Sequence, residues 1–302
     1  MKVTLDSVNR FVKEDTEKFI NLCENNYYNR INEVSKQVAS EKGRTLVMLA
    51  GPSGSGKTTT ASMLKRDFEA SGRTAITVSL DDFYYEDNLK YTFEDGTVDF
   101  ETVKALDEKL IGECLSQLVN CGKSDLPRFN FKTKKRDAFV ETEIDKDGII
   151  IVEGLHAINP VITDKLQTER MKKIYVSVSS RIYNDENVLL TKRDIRFFRR
   201  LIRDYHHRNT EVEYTFYLWR GVRKGEDRYL FPFSDRADIR IDSIHPYEPC
   251  VFKDTALRLL DHIDEKSVYY NEAEELKRKI SKFVSLAESE IPRNSLLNEF
   301  IG

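Results

Sequence analysis

The stretch Thr45-Leu-Val-Met-Leu-Ala-Gly-Pro-Ser-Gly-Ser-Gly-Lys-Thr58 decides the fold of this 302-residue chain. It begins with an apolar, β-prone run, ends in the pattern G-x-x-x-x-G-K-[ST], and leads into a segment of helical composition, residues 58–70. The glycines of the pattern let the backbone wrap around phosphate oxygens, with N–H groups pointing inward at a helix N-terminus. This strand–loop–helix context predicts that the loop binds nucleotide phosphates; a glycine-rich turn that binds nothing is the alternative.

The residue types within the loop define their expected roles. Lys57 is expected to reach the β- and γ-phosphates of ATP or GTP, and the Thr58 hydroxyl is expected to occupy one Mg²⁺ position. The motif assigns nucleotide binding to Gly51, Ser53, Gly54, Ser55, Gly56, Lys57, Thr58 and Thr59. The loop alone does not indicate which molecule receives a phosphate.

The rest of the chain alternates strand and helix patterns, which favours a parallel sheet. Candidate strands cover residues 75–80, 148–152 and 173–178, and candidate helices cover 6–40, 58–70, 100–119, 187–208 and much of the last fifty residues. We predict an α/β fold, a P-loop NTPase-type mainly parallel sheet flanked by helices, with an arginine-rich helical lid and helical N- and C-terminal extensions. The predicted divisions are an N-terminal helical extension (1–43), a P-loop core (44–250) that includes the lid (about 187–228), and a C-terminal helical extension (251–302).

Acidic side chains follow two of the predicted strands. Asp81 and Asp82 come after the strand at 75–80, and Glu153 comes after the apolar run 148–152. Ligands gather beyond the carboxyl ends of parallel strands, so one aspartate could accept the proton of an acceptor hydroxyl and Glu153 could hold Mg²⁺. The alternative makes the aspartates turn or capping residues and Glu153 the solvated end of a strand.

The predicted helix at 187–208 carries arginines at steps of three and four residues. Arg193, Arg196, Arg200 and Arg203 share one face, so positive charge is concentrated along a stripe. A lid that closes over nucleotide phosphates would satisfy this charge and exclude water. A solvated basic face is the alternative, and nucleic-acid binding is disfavoured because no aromatic-basic RNA-binding signature accompanies the helix.

The composition argues against several classes of protein. Charged residues make up 33% of the chain but the net charge is only -3, which indicates no general polyanion-binding surface. The chain lacks an apolar run of the roughly 18 residues that a membrane helix needs. We expect a soluble, cytoplasmic protein that binds neither nucleic acid nor membrane, and a homo-oligomer stays open.

Five segments, in order, resemble the uridine kinase and phosphoribulokinase family of P-loop kinases. They are the phosphate loop, Leu80–Tyr85, Leu126–Arg136, Ile150–His156 and Ile195–Asp204. Later segments resemble a longer bacterial uridine kinase-like branch; they are Trp219–Glu226, Leu230–Phe233, Ala237-Asp238 and Ser295–Gly302. Members of that branch often carry an amino-terminal TGS-type module, which we do not expect here because the phosphate loop comes so early in this chain.

The resemblance implies an ATP-dependent kinase that uses Mg²⁺ and transfers a γ-phosphate to a hydroxyl of a small acceptor. A nucleoside is the leading acceptor; another small alcohol or a sugar phosphate, or a nucleotide-binding regulatory protein without acceptor chemistry, are the alternatives. The resemblance implies Asp81 as catalytic base and metal contact, Thr58 and Glu153 as magnesium contacts, and Arg196, Arg199 and Arg203 as phosphate-facing residues that assist Lys57 in catalysis or nucleotide binding. It places the acceptor against Tyr84, Asp99, Phe129, Phe131 and Arg136, with residues 91–100 near its ribose hydroxyls.

The sequence departs from the family pattern in the acceptor motif. Uridine and cytidine kinases usually supply a tyrosine and a histidine to the pyrimidine base, and this chain has Phe129 and Lys134 at those places. A site that hydrogen-bonds one base discriminates through its polar groups, so the change leaves another nucleoside or another polyol open. Phe129 and Phe131 could also be core residues at strand spacing.

Overall fold

The computed structural model describes residues 2–86, 91–166 and 168–302. Within these ranges the strands are β1 (Val3–Thr4), β2 (Thr45–Ala50), β3 (Ala75–Ser79), β4 (Lys123–Asn130), β5 (Lys135–Glu143), β6 (Ile149–Glu153), β7 (Met171–Ser177), β8 (Ile182–Asn184), β9 (Asn187–Leu190) and β10 (Ile239–Asp242). The helices are α1 (Leu5–Glu14), α2 (Thr16–Ala39), α3 (Lys57–Ala70), α4 (Glu108–Cys121), α5 (Pro160–Thr163), α6 (Lys192–Arg208), α7 (Val212–Tyr229), α8 (Glu248–Leu260) and α9 (Tyr270–Ile280). Short 3₁₀ turns cover Leu80–Phe83, Val103–Ala105, Phe231–Arg236, Glu288–Glu290 and Leu296–Glu299.

The central sheet has five strands in the order β10-β7-β2-β6-β3, and every neighbouring pair is parallel. Strands β2 and β6 lie inside the sheet and are apolar because both of their faces are covered. Val47 and Leu49 point to the face that packs against α2, α3, α6 and α8, whereas Leu46 and Met48 point to the opposite face beside α4. The predicted α/β class with a mainly parallel sheet and flanking helices is confirmed.

The predicted extensions pack on the first of these faces. Apolar residues of α1, α2, α8 and α9 belong to the same buried cluster as the strands. The Tyr27 and Thr60 hydroxyls, on α2 and α3, lie 2.6 Å apart, and Tyr247 donates a hydrogen bond to the buried Glu24. Helix α2 therefore supports the back of α3, and the start of α8 is joined to α2.

Two predicted helix starts are wrong. The helix expected from residue 100 begins at Glu108, because Asp107 caps it by accepting a hydrogen bond from the Leu110 N–H at 3.1 Å. The helix expected from residue 187 begins at Lys192, after a capping box formed by Thr191 and Asp194. Residues 187–190 form β9 instead, which pairs with β8.

Two further elements differ from the sequence analysis. The antiparallel hairpin β4–β5 was not predicted, and it carries the acceptor motif. The last fifty residues contain most of α8 and all of α9, but beyond Ile280 they form only short 3₁₀ turns and extended chain. Within the described ranges no helix is both long and apolar enough to cross a membrane.

Candidate active site

The phosphate loop lies between the end of β2 and the start of α3. Gly54 and Gly56 have φ values of 71° and 82°, a left-handed conformation that side chains other than glycine's rarely adopt. A Cβ atom at Gly54 would also stand 2.8 Å from the carbonyl oxygen of Arg196. The glycines are therefore required both by the backbone path and by close packing against α6.

Lys57 and Thr58, the first two residues of α3, are free to meet a nucleotide. The Lys57 ammonium makes a long hydrogen bond of 3.3 Å to the Pro52 carbonyl, and within the described ranges no carboxylate lies within 4.0 Å of it. Thr58 is exposed. The Ser55 hydroxyl is buried in the loop and has no hydrogen-bond partner among the described residues. The glycine-rich loop, Lys57 without a direct ion pair and the exposed Thr58 hydroxyl together fit a Mg²⁺-bound nucleoside polyphosphate.

Two acidic residues lie at the ends of the neighbouring strands. Glu153 is the last residue of β6, and Asp81 is in the turn after β3. Ser79 and Glu153 are register partners at the ends of β3 and β6, and the Ser79 hydroxyl donates to the Glu153 carboxylate at 2.8 Å. Burial raises the pKa of Glu153, with Lys57 opposing and Asp81 adding to the shift. The pKa of Asp81 is also raised, chiefly by the protein atoms around it, although its side chain still contacts solvent. The charge of Lys57 thus acts on both carboxylates, and Asp81 also acts on Glu153.

The two adjacent aspartates, Asp81 and Asp82, have different surroundings. Asp82 accepts hydrogen bonds from Arg128 Nη1 at 2.9 Å and from the Phe129 N–H at 3.0 Å, so it ties the 3₁₀ turn to β4. The Asp81 side chain is exposed, makes no hydrogen bond or ion pair with another described residue, and interacts electrostatically with Lys57. Of the two, Asp81 is therefore the carboxylate available to a substrate.

Two of the predicted phosphate-facing arginines lie behind the loop. Arg196 forms a buried two-pronged ion pair with Glu226, at 2.7 and 2.8 Å, and donates to the Ser53 carbonyl at 2.9 Å. Arg199 is fully buried, is paired with Glu248 and donates to the Gly54 carbonyl at 3.1 Å. In this conformation neither guanidinium faces the open site, and either ion pair would have to open before its arginine could reach a phosphate.

The neighbouring arginines share a single buried carboxylate. Arg200 donates to the Ser53 hydroxyl at 3.1 Å, while Arg200, Arg203 and Arg208 surround the buried Asp204 at 3.1 to 3.3 Å. Burial lowers the pKa of Arg200, and Asp204 opposes that shift. The sequence analysis placed Arg200 on the basic stripe but assigned it no role. Because Arg200 shares Asp204 with two other arginines, whereas Arg196 and Arg199 each have a glutamate of their own, Arg200 is a stronger candidate for phosphate binding than either.

Aromatic side chains of the acceptor motif form one cluster. The ring centroids of Tyr84, Phe129 and Phe131 are 5.2 to 6.5 Å apart, and Phe131 is largely exposed. Arg136 supports the cluster by donating to the Tyr84 carbonyl at 3.1 Å and pairing with Asp107. The structure brings these predicted acceptor residues together. Lys134 is instead in the exposed turn of the β4–β5 hairpin, with a φ of 57°.

The segment expected near the acceptor's hydroxyls presents a different carboxylate from the predicted one. Asp99 is buried and accepts hydrogen bonds from the Tyr229 hydroxyl at 2.7 Å and the Glu101 N–H at 3.1 Å. Glu101 interacts electrostatically with Glu226, Arg200, Asp81 and Lys57, and burial raises its pKa to about 7. The sequence analysis missed Glu101, because the run Asp99-Phe-Glu101 carries no signal for which of its acids interacts with the charges of the site.

A buried histidine fixes the backbone at Glu101. Burial lowers the pKa of His156 to about 4, so the ring is neutral at neutral pH. Its Nε2 lies 2.9 Å from the Glu101 carbonyl, which can only accept, so Nε2 carries the proton. This hydrogen bond fixes the backbone at Glu101.

A parallel sheet, a phosphate loop at the end of its central strand and carboxylates at the adjacent strand ends define a P-loop phosphotransferase. The family model described as "Phosphoribulokinase / Uridine kinase family" matches residues 46–248. The chain therefore belongs to the phosphoribulokinase/uridine kinase family, as its motifs indicated. Among curated relatives, a uridine kinase of Staphylococcus aureus (strain JH9) is 29% identical over 203 residues, covering 66% of this chain and 88% of that protein.

Solved structures show weaker likeness. A protein from Bacillus stearothermophilus described as a possible uridine kinase matches 71% of this chain and 98% of its own, with 17% identity and a TM-score of 0.49. D-glycerate 3-kinase from Cryptococcus neoformans var. grubii matches 50% of this chain and 55% of its own, with 21% identity and a TM-score of 0.31.

Proposed function

We propose that this protein is a kinase that transfers the γ-phosphate of ATP to a hydroxyl of a small acceptor, most simply a nucleoside. The observation that carries the proposal is that Lys57 follows β2, Asp81 follows β3 and Glu153 ends β6, three neighbouring strands of one parallel sheet, and that the charge of Lys57 acts on both carboxylates. A loop that only bound nucleotide would need the cation but no such pair of acids. Two carboxylates with separate surroundings suit the two tasks of phosphoryl transfer, proton acceptance and metal binding.

Each residue then has a distinct task. Lys57 and the loop N–H groups bind the β- and γ-phosphates, and Arg200 and Arg203 add positive charge at the side of Ser53. Asp81 orients the acceptor hydroxyl and accepts its proton. Thr58 and Glu153 would hold Mg²⁺, directly or through water, and the ion would neutralise charge on the transferring group. Tyr84, with the Phe129 and Phe131 rings beside it, binds the acceptor.

The acceptor side of the site supports a ring-bearing acceptor. Three aromatic rings can contact a planar base through stacking, and Glu101 supplies a carboxylate that can accept from hydroxyl groups. The second candidate is a different small alcohol or a sugar phosphate, because Phe129 has no polar group with which to hydrogen-bond a pyrimidine. The two candidates share the transfer chemistry and differ only in the acceptor.

A survey of acceptors separates the candidates. ADP release is measured with ATP, Mg²⁺ and pyrimidine nucleosides, purine nucleosides, sugar phosphates or pantothenate-like alcohols, and we expect turnover with a nucleoside. Turnover with another alcohol alone would reject the nucleoside assignment. ATP binding without turnover of any acceptor would favour a nucleotide-binding regulatory protein. Replacing ATP by GTP in the same assay identifies the phosphate donor.

The substitution Asp81→Asn tests the mechanism. We expect ATP binding to be nearly unchanged and transfer to fall by on the order of a hundredfold or more, as is usual for loss of a proton-transfer group. The matched control is Asp82→Asn, which removes the same charge one residue away and keeps most turnover at saturating acceptor. Equal turnover numbers for the parent and Asp81→Asn would remove Asp81 from the mechanism. Unchanged activity of Lys57→Ala would overturn the assignment of the phosphate loop.

A further inference from the structure

Residues 295–302, here called the 295–302 segment, lie against the phosphate loop. Leu296 Cδ1 is 2.5 Å from the position that a Cβ atom would take at Gly56, so this side chain covers the loop backbone. The Thr59 hydroxyl, one residue beyond the expected magnesium contact, donates a hydrogen bond of 2.6 Å to Glu299 Oε2. The negative side chain of Glu299 therefore lies beside the first turn of α3, the helix that follows the loop.

The segment is held on both sides of Glu299. Before it, the Ser295 hydroxyl donates to the buried Glu24 at 2.6 Å. After it, the Phe300 ring is buried beneath the Arg199 guanidinium, 5.2 Å from the ring centroid, and His207 Nε2 lies 3.0 Å from the Ile301 carbonyl. Glu299 itself is only half-buried. Its carboxylate lies between these two anchors, so displacing it would also loosen the backbone on either side.

The Glu299–Thr59 hydrogen bond is favourable when the loop holds no nucleotide and unfavourable when a nucleotide is bound. A carboxylate near a helix N-terminus is favourable, but a polyphosphate bound to the same turn brings several negative charges close to it. The Thr59 hydroxyl has one proton, so it can donate to Glu299 or to a phosphate oxygen but not to both. The field of Glu299 reaches the site: after burial and the charges of Lys57 and Asp81, it is among the causes that shift the pKa of Glu153.

We propose that the 295–302 segment is part of the donor site and that an entering nucleoside triphosphate displaces Glu299 from Thr59. Nucleotide binding and docking of this segment are then coupled, so each weakens the other through the same carboxylate. The inference rests on the proposed binding of ATP by the loop. Glu299 then helps to set the affinity for the phosphate donor. The position of the 295–302 segment also differs between the free and the nucleotide-bound protein.

The test compares Glu299→Gln with the parent protein in calorimetric titrations with Mg·ATP. Glutamine keeps a hydrogen-bond acceptor for Thr59 but removes the charge, so we expect the Kd for ATP to fall by about fivefold, the scale of one like-charge contact near a protein surface. Glu290→Gln is the matched control, because Glu290 is exposed in the same region, and its Kd should equal that of the parent. Unchanged or weaker ATP binding by Glu299→Gln would overturn the proposal.

Hydrogen exchange on the parent protein provides a second measurement that needs no variant. With saturating ATP, the amides of the 295–302 segment should exchange faster than in the free protein, whereas those of β2 should not. Equal or slower exchange of the segment would contradict displacement. Failure of the parent to bind ATP at all would instead refute the proposed function, so the two failures are distinguishable.

Discussion

Replacing Glu101 by glutamine should stabilise the free protein at alkaline pH and have little effect at acidic pH. Burial raises the pKa of Glu101 from 4.5 to about 7, assisted by the negative charges of Glu226 and Asp81 and opposed by Arg200 and Lys57. Between these two pH values the folded state holds a proton on this group and the unfolded state has lost it. Stability therefore falls as pH rises through this window, because the ionised side chain is less well solvated in the folded state.

The size of the effect follows from the two pKa values. A difference of one pKa unit corresponds to about 1.4 kcal/mol, so the ionised Glu101 costs about 3 kcal/mol at pH values above its folded pKa. At pH 5 the same group costs under about 1 kcal/mol, since it is protonated in the folded state and partly protonated in the unfolded state. The advantage of Glu101→Gln over the parent should therefore grow by about 2 kcal/mol between pH 5 and pH 8.

Urea unfolding at pH 5 and pH 8, without nucleotide, measures this change. Glu94→Gln is the control for the substitution itself, because it makes the same change at an exposed position on the same connection between β3 and α4. A Glu101→Gln variant whose free energy of unfolding differs from that of the parent by the same amount at both pH values would refute the reasoning. Glu101 would then be as well solvated as an ordinary surface acid.

Two further substitutions test the support of the loop. Glu226→Gln should lower the free energy of unfolding in urea by about 3–5 kcal/mol because it leaves the buried Arg196 without its counter-ion; Asp227→Asn, which breaks an exposed ion pair next to it, should cost under about 1 kcal/mol. Gly54→Ala should weaken ATP binding on the order of tenfold or more, because its Cβ would stand 2.8 Å from a carbonyl oxygen. Gly72→Ala has the same sign of φ but open space around it, so it should leave ATP binding unchanged.

The phosphate loop could be predicted from sequence because its requirements are local. Strand β2, the glycines and the start of α3 follow one another in the chain, and their conformations depend little on the rest of the fold. The placement of Asp81 and Glu153 needed only the rule that parallel strands end at one edge. Ser79 and Glu153, the last residues of β3 and β6, are register partners, so the two strands end at the same edge of the sheet.

The surroundings of the arginines could not be predicted, because their partners are distant in sequence. Spacing along α6 showed that Arg196 and Arg200 share a face, but not that Glu226, 30 residues away, would bury the first of them. Arg199 is likewise paired with Glu248, 49 residues away. A helical pattern shows which residues lie together and not what charge the fold brings opposite them.

Burial of these ion pairs behind the loop has a consequence for binding. Arg196 joins Glu226 to the Ser53 carbonyl, and Glu226 also accepts from the Ser53 N–H at 2.8 Å, so both polar groups of one loop residue are held. Arg199 holds the Gly54 carbonyl in the same way. With these carbonyls held by the arginines, the loop keeps one backbone conformation before a nucleotide arrives. A loop ordered in advance loses less entropy on binding, which is how arginines outside the open site can still strengthen it.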